Sequence, residues 1–168
     1  MKMTRRLAVV VFGLMMSCAL MTSCASGSTP STSGADEQLV KDAVAEFYSA
    51  LNVMFTGDAG PMKAVWSHAD DVIYMGPGGE MKQGWPAVLP EWEAQAAAKL
   101  GGEVRAADLH VTVGQDLAVA NCWEKGQNVG AGGNVEVVSI RATNVFRKEG
   151  GSWKMIGHHT DLLPFLAK

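Results

Sequence analysis

The residues with the clearest capacity for chemistry lie near the end of the chain, where His158 and His159 precede Asp161. A carboxylate two residues from an imidazole can hold one tautomer of the ring and raise its basicity. Side chains alternate between the faces of a strand, so His159 and Asp161 share one face and His158 lies on the other. Because Lys154 has the parity of His158 and should face water, we predict that His159 and Asp161 face the interior. They form the predicted catalytic pair, with His159 as general base; the alternative is a structural histidine beside a solvated aspartate.

Large aromatic residues are numerous, and we expect most of them in the core and two or three along an apolar pocket. Arg141 lies in a run poor in charge, so it is either a pocket cation for an acidic ligand or an ion-pair partner on the sheet face. Asp70 and Asp71 directly precede a predicted strand and are interpreted as solvated or helix-capping acids. The predicted ligand-binding residues are Trp66, Tyr74, Trp85, Trp123, Arg141 and His159.

The remaining histidines and cysteines do not form a metal-binding pattern. His68 and His110 have no cysteine or acid at the spacing of metal ligands. We therefore predict neither a metal site nor a cofactor. Cys122, between Asn121 and Trp123 in a strand-like run, is interpreted as a small buried apolar group rather than a nucleophile.

The N-terminus has the layout of a secretory signal. Lys2, Arg5 and Arg6 precede an apolar run (residues 7–16) that is short for a membrane span, and small residues follow. The whole chain has a formal net charge of −3, and loss of these three basic residues leaves about −6. This acidic balance argues against a nucleic-acid partner.

Residues 21–25 (MTSCA) resemble the lipobox of bacterial lipoproteins, in which the cysteine is acylated and becomes the mature N-terminus. Met21 departs from the usual leucine, Cys18 is a competing candidate, and an ordinary secretory signal is the alternative. The resemblance implies a signal peptide at residues 1–23, a lipidated Cys24 that begins a flexible tether at 24–36, and a domain at 37–168. We therefore expect a cell-envelope protein exposed outside the cytoplasm and held to the membrane by its lipid anchor alone.

The periodicity predicts helices first and long strands last. A helix of about five turns should start at Asp36 and stop at Gly57, a short one should start at Pro61, and a third should start at Pro86. Two short strands (71–75 and 80–83) precede the third helix, and period-two alternation from Glu103 to the end predicts long antiparallel strands. This order indicates an α+β domain with helices on one face of a curved sheet. The first helix is predicted to bury Leu39, Ala43, Phe47, Leu51 and Phe55.

Three patches of the chain resemble the SnoaL-like branch of the nuclear transport factor 2-like superfamily. They are residues 66–72 with 75–79, residues 84–88 with Trp92, and residues 141–143 with 150–154 and the paired histidines. The resemblance implies a cone: a curved, mostly antiparallel sheet wrapped around three N-terminal helices (a cystatin-like roll), with a pocket at the wide end. It also implies that homodimers form through the outer face of the sheet. Gly157 and Thr160-Asp161 depart from the family's usual last strand.

These patterns lead to one principal hypothesis and two alternatives. The principal one is a lipid-anchored, extracytoplasmic domain that binds a small apolar or amphipathic molecule in the cone. The first alternative is an isomerase or dehydratase that uses His159 as general base. The second is a dimeric association module without pocket chemistry. Because the superfamily hosts all three classes, the sequence leaves open whether a reaction is catalysed.

Overall fold

The computed structural model describes residues 34–130 and 132–166. The predicted signal peptide, Cys24 and the tether up to residue 33 lie outside these residues. The helices are α1 (Gly34–Met54), α2 (Gly60–Val65) and α3 (Trp85–Ala98). The strands are β1 (Ile73–Met75), β2 (Met81–Gln83), β3 (Glu103–Val113), β4 (Leu117–Val129), β5 (Val135–Glu149) and β6 (Ser152–Thr160).

The first helix covers the inner face of the sheet. Val40, Val44, Phe47 and Leu51 recur every three to four residues and are buried, as an amphipathic helix requires. The helix starts two residues before the predicted cap, Asp36, whose carboxylate instead pairs with the Lys148 ammonium at 2.7 Å.

Leu39 and Gly57 lie near the two ends of α1. Leu39, predicted on the apolar face, is 47% exposed. After the helix, Gly57 adopts a φ of +114°, which few other residues tolerate, and this ends the helix where the sequence predicted.

Six strands form one sheet in the order β2-β1-β6-β5-β4-β3. All neighbours are antiparallel except β1 and β6, which run parallel. The predicted α+β class, with one curved, mostly antiparallel sheet and few helices, is confirmed. The aromatic core lies between this sheet and the helices, where Phe47, Trp66, Tyr74, Trp92 and Phe146 are all buried.

A β-bulge in β6 reverses the predicted orientation of the paired histidines. Val145 pairs with Gly157 but the next residue of β5, Phe146, pairs with Met155, so Ile156 is an extra residue. One extra residue in a strand changes which alternate side chains face the core. His158 is therefore buried, whereas His159 is exposed on the outer face. The prediction that His159 faces the interior and His158 the exterior is wrong.

Candidate functional site

Four polar side chains meet inside the apolar core. Glu124 of β4, Asn144 of β5 and His158 of β6 project inward, and Tyr48 of α1 reaches them from the opposite side. Asn144 and His158 are direct cross-strand partners, which brings their side chains together. The cluster exists because three neighbouring strands each contribute one of its members from the inner face. We call these four residues the inner polar cluster.

Hydrogen bonds fix the orientation of each group in the inner polar cluster. The Tyr48 hydroxyl donates to Glu124 Oε1 at 3.0 Å, so the Cys122 thiol, 3.1 Å from the same hydroxyl, must be the donor to Tyr48. Asn144 Oδ1 lies 2.6 Å from His158 Nδ1. An amide oxygen only accepts, so Nδ1 carries the ring hydrogen and Nε2 presents its lone pair. That lone pair lies 3.8 Å from Glu124 Oε1, too far for a direct hydrogen bond.

Aromatic rings hold the His158 imidazole from several sides. The Tyr74 ring lies nearly parallel to it, with centroids 5.9 Å apart, and the Phe47 ring is 5.0 Å away. Trp92 packs at 6.2 Å. The Tyr74 hydroxyl in turn accepts a 2.6 Å hydrogen bond from Gln95 of α3. The imidazole is therefore fixed in an apolar setting that excludes bulk water.

This burial shifts the pKa values of the two ionisable groups in opposite directions. Burial raises the pKa of Glu124 to about 7, against the Tyr48 hydrogen bond, which lowers it. Burial, with the adjacent His159, lowers the pKa of His158 to about 3. Near neutral pH His158 is uncharged and Glu124 is present in both its protonated and its ionised form. That combination is suited to proton donation and acceptance.

Cys122 does not have the properties of a reactive thiol. Burial raises the pKa of its thiol, and its Sγ contacts the Tyr48 hydroxyl. A nucleophilic cysteine needs a lowered pKa. The structure thus agrees with the interpretation of Cys122 as a buried packing residue.

The inner polar cluster borders a small space at the wide end of the sheet. This inner cavity has a volume of about 30 Å³ and is lined by Glu124, His158 and mainly apolar side chains. A second, open depression of about 210 Å³ lies beside it, between α3 and the turn that joins β1 to β2. We call this depression the mouth groove. Both spaces are lined by Tyr74, Pro77, Gln95, Leu100 and Leu166.

The aromatic residues predicted to bind ligand are separated in the structure. Tyr74 lines both the inner cavity and the mouth groove. Trp66 is buried against Trp92, with ring centroids 5.8 Å apart. Trp85 is half-buried, and its ring stacks on the His68 ring with centroids 4.3 Å apart. Trp123 is 39% exposed on the outer face of the sheet, so its predicted position in the pocket is wrong.

The other predicted site residues gather on the outer face. Arg141, His159 and Asp161 line an open groove of about 460 Å³ together with Trp123. The Arg141 guanidinium binds the Asp161 carboxylate through two 2.8 Å hydrogen bonds, and this holds the pKa of Asp161 at about 2. Of the two roles predicted for Arg141, the structure shows the ion pair on the sheet face, with Asp161 as the partner. Asp161 is bound to Arg141 outside the cone, so it does not orient a general base inside it.

The functional candidates that sequence reasoning missed are Glu124, Tyr48 and Asn144. A signal for Glu124 is present in the sequence, because the small apolar residues Ala118, Ala120 and Cys122 precede it at two-residue spacing. The larger side chains Leu117 and Trp123 indicate the opposite face, and the structure shows that they are exposed.

The described residues contain neither a cluster of metal ligands nor a membrane-spanning helix. Within residues 34–130 and 132–166 no group of three or more histidine, cysteine or acidic side chains is arranged to hold a metal ion. None of the helices in the described part of the chain is long and apolar enough to cross a membrane. The acids considered earlier are peripheral: Asp71 pairs with Arg147 at 2.6 Å on the surface.

Several solved structures of other proteins have a fold similar to this one. A 26% identical structure, a candidate dehydratase of the nuclear transport factor 2-like family from Streptomyces avermitilis, aligns with a TM-score of 0.70 over 78% of this chain and 98% of that one. A candidate calcium/calmodulin-dependent protein kinase type II association domain from Thiobacillus denitrificans is also 26% identical, with a TM-score of 0.62 over 73% and 94% of the two chains. A nuclear transport factor 2-like protein from Salmonella enterica serovar Typhimurium is 14% identical, with a TM-score of 0.68 over 76% and 91%.

The family match is extensive. No curated protein matches the sequence significantly. The family model described as the SnoaL-like domain matches residues 40–162, well over half of the chain. The resemblance inferred from the three sequence patches is thereby confirmed. This protein belongs to the SnoaL-like domain family and has the nuclear transport factor 2-like fold.

Proposed function

We propose that the domain binds a small, largely apolar molecule whose polar group contacts Glu124 and His158. The observation that carries the proposal is the buried Glu124 carboxyl, with a pKa of about 7, facing the His158 Nε2 lone pair across 3.8 Å. Isolated polar groups in an apolar cavity are expensive unless they are hydrogen-bonded. A ligand hydroxyl could bond to both groups at once, because it can donate to His158 Nε2 and accept from the protonated Glu124 carboxyl.

A second buried polar atom supports the same site. Trp92 lines the inner cavity, and its Nε1 has no hydrogen-bond partner among the described residues. A buried N–H without an acceptor is unfavourable by about 1–3 kcal/mol. An acceptor atom on a bound ligand would satisfy it. Ligand sites typically combine such a few polar groups with mainly apolar walls.

Blocking the mouth groove tests this proposal. Ala98 is exposed and lines the groove, whereas its neighbour Ala97 is exposed but points elsewhere on α3. We expect Ala98→Trp to weaken binding of the neutral apolar dye Nile red at least tenfold, and Ala97→Trp to leave it unchanged. Equal binding by both variants and the unmodified protein would place the dye outside the cone and overturn the proposal.

A second candidate function is catalysis by proton transfer, with Glu124 as general acid and base. It is favoured by the pKa of about 7, which matches the requirement for such a group at neutral pH, and by the 26% identity to a candidate dehydratase. In a dehydration the general base removes a carbon-bound proton. The hydroxyl group then leaves as water after the general acid protonates it. Glu124→Gln should abolish any such activity on β-hydroxy carbonyl compounds, and Glu46→Gln on the exposed face of α1 should not.

Two properties beyond the cone complete the proposal. The lipobox-like residues 21–25 support lipid anchoring at Cys24 on the outside of the cytoplasmic membrane or further out in the envelope. Exposed apolar side chains on the outer face, among them Val135 and Val137 with 56% and 71% exposure, support a homodimer through that face. Neither property affects the chemistry proposed for Glu124.

A further inference from the structure

The last described residues of the chain lie across the wide end of the sheet. We call residues 162–166 the closing segment. Leu163 is buried and lines the inner cavity. Leu166 lines both the inner cavity and the mouth groove, as do Tyr74, Pro77, Gln95 and Leu100. The other apolar residues of the segment, Leu162 and Phe165, are exposed.

The chain is held firmly at Asp161, just before the closing segment, and has fewer hydrogen bonds to the rest of the fold within the segment. At Asp161 the carboxylate binds the side chain and backbone N–H of Arg141, and the Asp161 N–H donates to the Arg141 carbonyl at 3.1 Å. Further along, the Leu163 N–H donates to the Pro77 carbonyl at 3.0 Å, in the turn between β1 and β2. The Leu166 N–H closes a local turn onto Leu163 at 2.9 Å. Segments with few backbone bonds to the rest of the fold open locally before the core does.

The volume beneath the segment is too small for an organic ligand. The inner cavity of about 30 Å³ matches one or two water molecules, whereas a cavity that accepts benzene has about 150 Å³. The mouth groove of about 210 Å³ ends against Leu166. An organic ligand therefore needs more room to reach Glu124, and departure of Leu163 and Leu166 would supply it.

We infer that the closing segment keeps the site shut, and that ligand binding requires it to swing away from Pro77 about the fixed Asp161–Arg141 contact. This inference rests on the proposed function, because it concerns access to the same cavity. It assigns opposite roles to two pairs of apolar residues in one short segment. Leu163 and Leu166 fill the site and compete with ligand, while Leu162 and Phe165 face solvent and do not.

Two full-length double variants test the inference with Nile red as the probe. We expect Leu163→Ser with Leu166→Ser to bind the dye at least tenfold more tightly than the unmodified protein. Leu162→Ser with Phe165→Ser is the matched control and should bind as the unmodified protein does. Circular dichroism and urea unfolding establish that both variants are folded. Equal affinity of the two variants, with Ala98→Trp still blocking, would overturn the closing role and leave the proposed function standing.

Hydrogen exchange on the unmodified protein tests the segment without any ligand. The Leu163 and Asp161 amides each donate one backbone hydrogen bond, at 3.0 and 3.1 Å. If the segment opens beyond its fixed start, the Leu163 amide exchanges at least tenfold faster than the Asp161 amide. Equal protection of the two amides overturns the inference. Because this test needs no ligand, it holds even if no variant binds the dye and the proposed function fails.

Discussion

Replacing Glu124 by glutamine should change how stability depends on pH, and the size of the change follows from the burial of its carboxyl. The folded-state pKa is about 7 against an ordinary value of 4.5. Below pH 4.5 the carboxyl is protonated in both states. As the pH rises from 4.5 towards 7 the unfolded chain loses the proton first, so the folded state loses stability. At 1.36 kcal/mol per pKa unit, the full loss is about 3 kcal/mol above pH 7.

His158 has the opposite effect over much of the same range. Its folded-state pKa of about 3 lies below the ordinary 6.5, so the unfolded chain takes up a proton first as the pH falls below 6.5. Between pH 4.5 and 6.5 the two groups change stability by up to about 1.4 kcal/mol per pH unit in opposite directions. Their contributions in the unmodified protein therefore nearly cancel in that window. In the Glu124→Gln variant the His158 contribution remains alone, and stability should rise with pH.

Urea unfolding of both proteins at pH 4.5, 5.5, 6.5 and 7.5 measures the effect. Glutamine retains an oxygen that accepts from Tyr48, so the two proteins should be about equally stable at pH 4.5. We expect the variant to be more stable by about 3 kcal/mol at pH 7.5. Glu46→Gln, on the exposed face of α1, controls for the loss of one negative charge. A stability difference between Glu124→Gln and the unmodified protein that stays constant from pH 4.5 to 7.5 would refute the burial argument.

Three further predictions concern the histidine pair and the two properties outside the cone. His158→Ala should lower the free energy of unfolding by about 2–4 kcal/mol because it empties a packed site, and His159→Ala by less than about 0.5 kcal/mol; the reverse order in urea unfolding would contradict the bulge at Ile156. Cys24→Ala should move the protein from the membrane to the soluble fraction, and retention in the membrane would reject the lipobox. Val137→Asp should convert a dimer to a monomer in sedimentation velocity, and an unchanged dimer would place the interface elsewhere.

The architecture could be predicted from the sequence because it depends on long, regular patterns. The apolar face of α1, the Gly57 stop and the alternation from Glu103 onward each extend over many residues. Errors of one or two residues at their ends, such as the start of α1 before Asp36, do not alter the fold. The parallel pairing of β1 with β6 joins short segments far apart in sequence, and no local pattern indicates it.

The site could not be predicted because its position depends on strand phase at single residues. Ile156 adds one residue to β6, and nothing in its type marks it as a bulge. In β4 Leu117 and Trp123 face outward, whereas Ala118, Ala120 and Cys122 face inward, where Tyr48 of α1 lies against Cys122. Size was therefore a misleading guide to which face of β4 is buried. Both errors exchange the inner face of a strand for its outer face, so they favour Trp123 and His159 over Glu124 and His158.

The inner polar cluster weakens the fold that holds it, and this bears on its role. Apolar residues of similar volume at all four positions of the cluster would avoid the burial of a carboxyl, and replacing a whole set of buried charged or polar partners in this way is often neutral or stabilising. Tyr48 satisfies one carboxyl oxygen but does not offset the burial that raises the pKa to about 7. A purely structural cluster predicts that Glu124→Gln gains stability at pH 7.5 and that its dye affinity varies with pH as that of the unmodified protein does. A functional cluster predicts that the dye affinity of the unmodified protein changes as the pH passes through about 7, where Glu124 titrates, and that Glu124→Gln loses this change while it gains stability.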